Sequence, residues 1–288
     1  MDYSGKEIGM NANKVRKILI ANGYQEVVSP ILRFSNSKIN PRFSVSTENS
    51  EIELYLRDCM EMSLRKYANR ALPKVFEIGP CFRQDKIDDT HRQEFYMMEL
   101  YSVGEGLAEM KTLTATIVSE VMGVNIPMKE VSLVNEILED LKIDIRLAST
   151  EEVILAIRNK HSDLVGRKKY EVVNKYIEFL EKKICVDKEI VYFLEEYPVC
   201  TIDSAARYGN TNTIKRFETF FNGLEIAHAF VDCMDEIDIK KRAEESLILD
   251  RETLELVELI KQGQLLPTVG LGIGIDRLCM MQGGNCND

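Results

Sequence analysis

The Asn-Gly pair within "KRFETFFNGLEIAHAFVD" constrains the fold of this chain more than any other stretch. Alternating runs flank Asn222-Gly223, and both turn residues tolerate the positive φ of a two-residue hairpin. A turn there predicts that Glu225 pairs with Phe220 and that Glu218 pairs with Ala227. Glu218 and Glu225 then share one sheet face as diagonal neighbours, about 7–8 Å apart.

Two neighbouring carboxylates on a sheet repel each other unless a cation or a proton lies between them. Mg²⁺ carrying a polyphosphate suits such a site, because this ion combines a few protein carboxylates with phosphate oxygens. Glu218 and Glu225 are therefore candidate metal ligands. The alternative is a pair of glutamates on a solvated sheet face, although the residues around them are largely apolar.

A second constellation lies in residues 75–101, "VFEIGPCFRQDKIDDTHRQEFYMMELY". A long charged loop without glycine joins two strand-like runs, although two or three residues are enough to close a hairpin. Four alternating residues of the second run share one strand face: Phe95, Met97, Glu99 and Tyr101. Arg83 at the start of the loop suits phosphate, and the Phe95 ring offers a flat surface for a base. An ordinary core strand beside a charged loop is the alternative.

The third constellation is "GLGIGIDR", residues 270–277. We do not expect a dinucleotide-binding loop, because too few residues follow Gly274 in this sequence for the crossover helix and return strand of a Rossmann unit. Glycines leading into a helix instead allow a strand and a helix to pack closely beside a ligand. Arg277 would then lie one turn into that helix.

The remaining pattern predicts a single α+β domain over residues 1–288, with a mostly antiparallel sheet flanked by helices. Periodicity predicts a mostly helical insertion at about residues 124–187. Strands are expected at residues 190–194 and 199–202. One long helix is expected over residues 238–262, ahead of the glycine-rich segment.

Composition narrows the class of protein. A net charge of −10, from 37 basic and 47 acidic side chains, argues against a surface devoted to nucleic-acid backbone, although a local basic patch remains compatible with it. We expect no secretory signal and no membrane span, because acids interrupt the start of the sequence and no run of about eighteen apolar residues occurs. The seven cysteines form no CxxC pair and are most simply reduced packing residues, so we expect a cytoplasmic protein.

Three stretches resemble, in order, motifs 1, 2 and 3 of the class II aminoacyl-tRNA synthetases: "GYQEVVSPIL", the stretch at residues 75–101, and "GLGIGIDR". The lysyl-type catalytic domain is the most similar, together with its short relative that attaches β-lysine to elongation factor P. "EYPV" and the Asn-Gly hairpin also match in type and order. The resemblance covers residues 23–101 and 196–277, and it implies the antiparallel class II sheet with a helical insertion between motifs 2 and 3.

This resemblance implies a site for ATP and Mg²⁺. Arg83 would hold the α-phosphate, and His91 would approach the outer phosphates. Phe95 would stack under adenine, while Arg277 covers the other face of the base. The full implied set of ATP-binding residues is Arg83, Asp85, His91, Phe95, Glu218, Glu225 and Arg277. The two arginines are the implied catalytic residues, and the two glutamates are the implied Mg²⁺ ligands.

The resemblance also implies an amino-acid pocket. Glu61 matches the glutamate that takes the substrate α-amino group, and Glu99 with Tyr101 matches the pair that meets the side-chain amine. Asp232 stands near the position of a further glutamate of the lysyl type. Glu99, Tyr101 and Asp232 together favour a cationic side chain such as lysine, ornithine or a β-amino relative.

The same pocket departs from the lysyl pattern. The usual Gly-Asn-Gly-Phe is Ala-His-Ala-Phe here, and "SNSKIN" replaces the glycine-rich segment after motif 1. Strict alternation puts His228, Phe230 and Asp232 on the face opposite Glu225, so a substrate pocket containing them requires a bulge near residues 227–229. Alanine makes such a bulge harder than glycine. A buried, hydrogen-bonded structural histidine is the alternative for His228.

The implied reaction is the activation of an amino acid by ATP to an aminoacyl-adenylate, followed by transfer to tRNA, to a protein lysine or to a small molecule. Because the departures fall in the amino-acid pocket, we expect retained activation chemistry with an altered substrate. The pyrrolysyl-type catalytic domain shares "FEIGPC" but has an asparagine at the position of Glu99.

The acceptor stays open at the level of sequence, because lysyl-type enzymes carry an oligonucleotide-binding barrel ahead of motif 1 and only about twenty residues precede it here. A non-catalytic paralogue that binds amino acid or nucleotide as a regulatory subunit is the alternative function. The resemblance also implies a homodimer through motif 1, with Pro30 at its two-fold interface.

Overall fold

A computed structural model describes residues 5–38, 40–48, 50–88, 90–166, 168–200 and 204–282. Its first elements are α1 (Gly5–Ala21), β1 (Gln25–Glu26), β2 (Leu32–Arg33), β3 (Ser44–Thr47), β4 (Ser50–Leu56), α2 (Glu61–Tyr67), β5 (Lys74–Phe82), β6 (Glu94–Val103) and α3 (Leu107–Met122). The insertion then contributes β7 (Met128–Ser132), α4 (Leu133–Leu141), α5 (Thr150–Lys160) and α6 (Lys169–Ile184). The chain continues with β8 (Val191–Glu195), β9 (Arg216–Phe221), β10 (Leu224–Val231), α7 (Glu236–Glu245), α8 (Arg251–Lys261), β11 (Thr268–Gly274) and α9 (Ile275–Met281).

Eight strands form the central sheet in the order β1-β5-β6-β11-β10-β9-β8-β7. The inner pairs are antiparallel, and the two outermost pairs, β1–β5 and β7–β8, are parallel. The α+β prediction is therefore confirmed. A second sheet, β2-β4-β3, lies beside motif 1 and was not predicted, because two of its strands are too short to give a pattern.

Helices α1, α3 and α9 cover one face of the central sheet. Their apolar side chains, such as Leu19 and Ile117, pack with alternate residues of β6, β10 and β11, such as Leu100, Ala229 and Leu271. Because strand side chains alternate between faces, the residues between these core positions point to the opposite face. That opposite face carries the polar residues of the three motifs.

The insertion between motifs 2 and 3 begins with a strand of the main sheet, β7, which the sequence analysis did not predict. Its helices then build a core of their own, in which Ile157 and Tyr176 pack with Leu194 and Phe220 of the sheet. Ser149 caps α5 and forms a capping box with Glu152, which fixes the start of this helix. The insertion therefore shares its core with β8 and β9.

Two local predictions were wrong. The expected helix over residues 238–262 is two helices, because Leu247 takes a left-handed conformation (φ 58°) and Asp250 accepts a hydrogen bond from the Thr253 N–H (2.9 Å) to cap α8. The strand expected at residues 199–202 is a turn at Val199 and Cys200, and the other two positions lie outside the described residues.

Six cysteines fall in the described ranges and none of the six forms a disulfide there, whereas Cys286 lies outside those ranges. Within the same ranges, no helix is both long enough and apolar enough to cross a lipid bilayer.

Candidate active site

A cavity of about 570 Å³ lies between the open face of the sheet and helices α7 and α8. It gathers twelve of the thirteen site residues expected from the sequence: Glu61, Arg83, Asp85, His91, Phe95, Glu99, Tyr101, Glu218, Glu225, His228, Phe230 and Arg277. The three constellations, which are far apart in the sequence, thus face a single space. The thirteenth residue, Asp232, lies behind the cavity wall.

The loop between β5 and β6 forms one end of the cavity. The Arg83 guanidinium lies 5.2 Å from the centroid of the Phe95 ring, and its Nε donates to the Asp58 carbonyl (3.2 Å). His91 is exposed, and its Nδ1 lies 3.0 Å from Asp88 Oδ1. Hydrogen bonds from the Thr90 N–H and from His91 hold the pKa of Asp88 well below its usual value. The loop thus presents an arginine over an aromatic ring, with a histidine at the rim.

Arg277 lies in the first turn of α9, directly after the glycine-rich strand β11, and its side chain lines the cavity. Its Nη1 donates to the Glu225 carbonyl (2.8 Å) and to Glu225 Oε2 (3.1 Å). Asp276 accepts a hydrogen bond from the Tyr96 N–H (2.6 Å), which fixes the start of α9 against β6. The two predicted catalytic arginines therefore reach the same cavity from different elements.

The Asn-Gly hairpin has the predicted turn but a different register beyond it. Asn222 and Gly223 have φ values of 52° and 75°, and Glu225 pairs with Phe220 as expected. The predicted pairing of Glu218 with Ala227 is wrong: the register shifts between Glu225 and Ala227, so Glu218 pairs with His228.

A bulge at Ile226 causes this shift, one residue before the region where a bulge was expected. Ile226 and the following Ala227 both pack in the helix-covered core. After the extra residue, His228 and Phe230 lie on the same face as Glu225 and line the cavity. Two apolar side chains directed into the core thus hold the bulge without a glycine.

Glu218 is buried and both of its oxygens have partners. Arg216 Nη2 forms an ion pair with Oε1, and the Tyr197 hydroxyl donates to Oε2 at 3.0 Å. The Arg216 guanidinium also lies 4.4 Å from the centroid of the Tyr197 ring. Glu225 is more exposed and faces Arg277.

The donor chemistry of this region fits a divalent cation. Glu218 and Glu225 present hard carboxylate oxygens on one sheet face, and Mg²⁺ prefers such ligands. Burial, and then the charges of Glu218 and Glu225, raise the pKa of the nearby Glu181 carboxyl. A cation bound to the two hairpin carboxylates would offset their negative charge.

The other end of the cavity contains Glu99, which is buried. Both Glu99 oxygens accept from the Met60 N–H at 3.1 Å, just before α2 begins at Glu61. Burial raises the pKa of Glu99 from its usual 4.5 to about 7, although the Met60 N–H and the charge of Arg83 oppose the shift. This carboxyl therefore changes protonation near neutral pH.

Asp232 has a partner that the sequence analysis missed. Arg65, whose side chain is 1% exposed, places Nη1 at 3.2 Å from Asp232 Oδ1 and at 3.5 Å from Glu61 Oε1. The Thr268 hydroxyl donates to the other oxygen of Asp232. An available signal was the spacing of Glu61 and Arg65, which puts the two side chains on one helix face.

Tyr101 lines the cavity over Gly270 of β11. A Cβ at position 270 would lie 2.7 Å from two atoms of the Tyr101 ring, so only glycine allows this approach. Burial, and then the charge of Glu61, raise the pKa of the Tyr101 hydroxyl. On the neighbouring strand β10, His228 is half-buried, and its ring centroid lies 5.3 Å from that of Phe230.

Comparison with known proteins gives the family. A family model described as tRNA synthetases class II (D, K and N) matches residues 10–287. The chain is 29% identical to a lysine–tRNA ligase of Thermoanaerobacter pseudethanolicus, over 96% of the chain and 61% of the relative. It is 28% identical to a lysine–tRNA ligase of Enterococcus faecalis, over 93% of the chain and 59% of the relative. It is 29% identical to lysine–tRNA ligase 2 of Methanosarcina acetivorans, over 94% of the chain and 58% of the relative.

The chain thus spans about six-tenths of the length of these curated relatives. The matched region includes all three motifs and the cavity that they line. Because the family model covers nearly the whole sequence, the chain belongs to the class II tRNA synthetase family of the D, K and N types.

Proposed function

We propose that this protein is a ligase that activates an amino acid with ATP, giving an aminoacyl-adenylate and pyrophosphate. The convergence of Arg83, Phe95 and Arg277 with Glu218 and Glu225 on one cavity carries this proposal. Two guanidinium groups, an aromatic face and two carboxylates suit a triphosphate, its base and its metal ion.

In the proposed reaction, a carboxylate oxygen of the amino acid attacks the α-phosphorus of ATP in line. The bond between the α-phosphorus and the bridging oxygen breaks, and pyrophosphate leaves with that electron pair. Arg83 would stabilise the charge that develops on the α-phosphate, and Phe95 would orient the base. Mg²⁺, held by Glu218 and Glu225, would neutralise phosphate charge. The remaining catalysis is positioning, and no side-chain nucleophile is required.

We propose a substrate with a cationic side chain, for which lysine is the first candidate. Glu99 and Tyr101 line the amino-acid end of the cavity, and Glu61 lies at its edge. The relatives are named lysine–tRNA ligases, which supports lysine as substrate and tRNA as acceptor. Asp232 would not contact the substrate amine. It would instead hold Arg65, which is also paired with Glu61.

Amino-acid-dependent exchange of pyrophosphate into ATP tests the activation step. We expect exchange with lysine or with another diamino acid from a broad panel, and loss of exchange in Glu225→Ala. Folded wild-type protein that shows no exchange with any amino acid would contradict the proposal. ATP-analogue binding without exchange, unaffected by Glu225→Ala, would instead favour the non-catalytic alternative.

Transfer is tested separately, by offering the adenylate to total tRNA, to elongation factor P and to small amines. We expect aminoacyl-tRNA, since tRNA is the acceptor in the names of the relatives. Modification of elongation factor P alone would show that the acceptor is a protein.

We also propose a homodimer through motif 1. Large apolar side chains are exposed next to Pro30 in the sequence, among them Val28 (84%), Ile31 (41%) and Phe34 (69%). Such a patch marks a surface that binds a partner. Light scattering should give a dimer at micromolar concentration, and Phe34→Glu should give a monomer.

A further inference from the structure

Helix α6 of the insertion brings a carboxylate to the candidate metal pair. Ile177 and Leu180 on this helix pack in the core shared with β8 and β9. Glu181, one position later and four after Ile177, lies at the edge of the same helix face. Its Oε1 is 3.3 Å from the hydroxyl of Tyr197, a residue of the "EYPV" stretch.

Tyr197 connects this carboxylate to Glu218. The tyrosine is 1% exposed, and its hydroxyl lies 3.0 Å from Glu218 Oε2. Since a buried phenol keeps the orientation that its partners give it, its oxygen is a contact that Glu181 and Glu218 share, and the two carboxyls also interact directly. The Arg216 guanidinium covers the Tyr197 ring and pairs with the second oxygen of Glu218.

Both oxygens of Glu218 are therefore fixed by protein groups, Oε1 by Arg216 and Oε2 by Tyr197. Partners of a metal ligand set the direction in which its oxygens point, and removing one of them typically lowers metal affinity by about 10–100-fold. Glu181 is the second carboxyl in contact with the Tyr197 hydroxyl. It belongs to the helical insertion, which matched none of the three motifs.

We propose that Glu181 is a positioning residue for the Mg²⁺ and ATP site, which acts through Tyr197 to orient Glu218. The helical insertion is then part of the nucleotide site as well as a packing unit. This inference rests on the proposed function, because it takes Glu218 as a ligand of the metal that accompanies ATP.

The test is the binding of a non-hydrolysable ATP analogue, measured by calorimetry at a series of Mg²⁺ concentrations. Glu181→Ala should raise the Mg²⁺ concentration needed for half-maximal binding by about tenfold. Glu181→Gln should stay near wild type, because an amide also forms a hydrogen bond to the tyrosine hydroxyl. Glu178→Ala, an exposed position on the same helix, is the matched control and should leave the titration unchanged.

Tyr197→Phe should reproduce the effect of Glu181→Ala, and the double variant should add little to either, since both act along one chain of contacts. Thermal unfolding and circular dichroism identify variants that fail to fold, and Glu181→Gln and Tyr197→Phe keep the test informative in that event.

An unchanged Mg²⁺ titration in folded Glu181→Ala, or additive effects in the double variant, would contradict the role of Glu181 and leave the proposed function intact. A Glu181→Gln variant that behaves like Glu181→Ala would assign the effect to charge and overturn positioning. Wild-type protein without any Mg²⁺-dependent binding of the analogue would overturn the proposed function together with this inference.

Discussion

The charged side chains at the two ends of the cavity differ in how exposed they are to solvent. At the proposed nucleotide end, which holds Arg83, Phe95 and Arg277, Arg277 is 24% exposed and Arg83 lies over the face of Phe95, so both guanidinium groups border open space. Behind the wall of the proposed amino-acid end, Arg65 and Asp232 are 1% and 0% exposed and are paired with each other. The first end keeps two guanidinium groups beside open space, and the second has a fully buried ion pair behind it.

This difference indicates where substitutions are tolerated. A charge beside solvent loses its ligand contacts when it is replaced, but the fold keeps its stability. A buried charge that loses its partner remains desolvated and uncompensated, which destabilises the fold. We therefore expect substitutions of charged residues at the first end to lower activity, and substitutions of charged residues behind the second end to lower the free energy of unfolding.

The largest effect is expected at the nucleotide end, for Arg83→Ala. Pyrophosphate exchange should fall by about 10²–10³-fold, because the charge that develops on the α-phosphate loses a fixed donor. Lys86→Ala, an exposed position in the same loop, should keep the wild-type rate. Equal losses in both variants would show that the loop as a whole, rather than the guanidinium, matters.

The next effect is expected at the other end, for Arg65→Met. This change leaves Asp232 buried without its cation and should lower the free energy of unfolding by about 3–5 kcal/mol, measured by urea denaturation. Adding Asp232→Leu should recover much of the loss. Lys240→Met is the control, because it removes an exposed ion pair with Glu244 at 3.8 Å and should leave stability unchanged. A stable Arg65→Met variant would contradict the contrast between the two ends.

A smaller effect is expected for Gly270→Ala, which pushes a methyl group against the Tyr101 ring. Overpacking of this kind costs about 1–3 kcal/mol, and the displaced ring should weaken amino-acid binding while leaving ATP-analogue binding unchanged. Gly9→Ala in α1 meets no atom within 4 Å and should be neutral or slightly stabilising. Weakened binding of both ligands would show that the two ends are not independent.

The smallest effect is a pH dependence from Glu99, whose pKa of about 7 lies well above its usual 4.5. A cationic side chain binds the ionised carboxylate, so its affinity should rise about tenfold from about pH 6 to about pH 8, with proton release below neutral pH. Calorimetry in buffers of different ionisation enthalpy measures both quantities. A neutral amino acid of similar shape should lack this rise, and so should Glu99→Gln.

The same shift predicts the sign of a change in stability. The folded protein retains the Glu99 proton between about pH 4.5 and pH 7, where the unfolded chain has lost it. The contribution of Glu99 to stability should therefore decrease as pH rises through this interval and be fully lost above it. Glu99→Gln should remove that part of the slope in urea denaturation.

Local signals predicted much of the nucleotide end. Three of these signals span only a few residues each: the Asn-Gly turn, the alternation of β6 and the glycines of β11. The two arginines were assigned by the resemblance to the family motifs. The amino-acid end was predicted less well, because the partner of Asp232 comes from α2 and its second hydrogen bond comes from Thr268. No local pattern relates these three positions.

The sequence by itself determined the α+β class and the hairpin turn, because turn geometry and strand alternation are properties of short segments, and the motif resemblance pointed to twelve of the residues that line the cavity. Only the tertiary structure decided the bulge at Ile226, the pairing of Arg65 with Asp232 and the contact of Glu181 with Tyr197. Each of these depends on packing between elements distant in the chain, where the burial of a side chain and the availability of a charged partner determine the outcome.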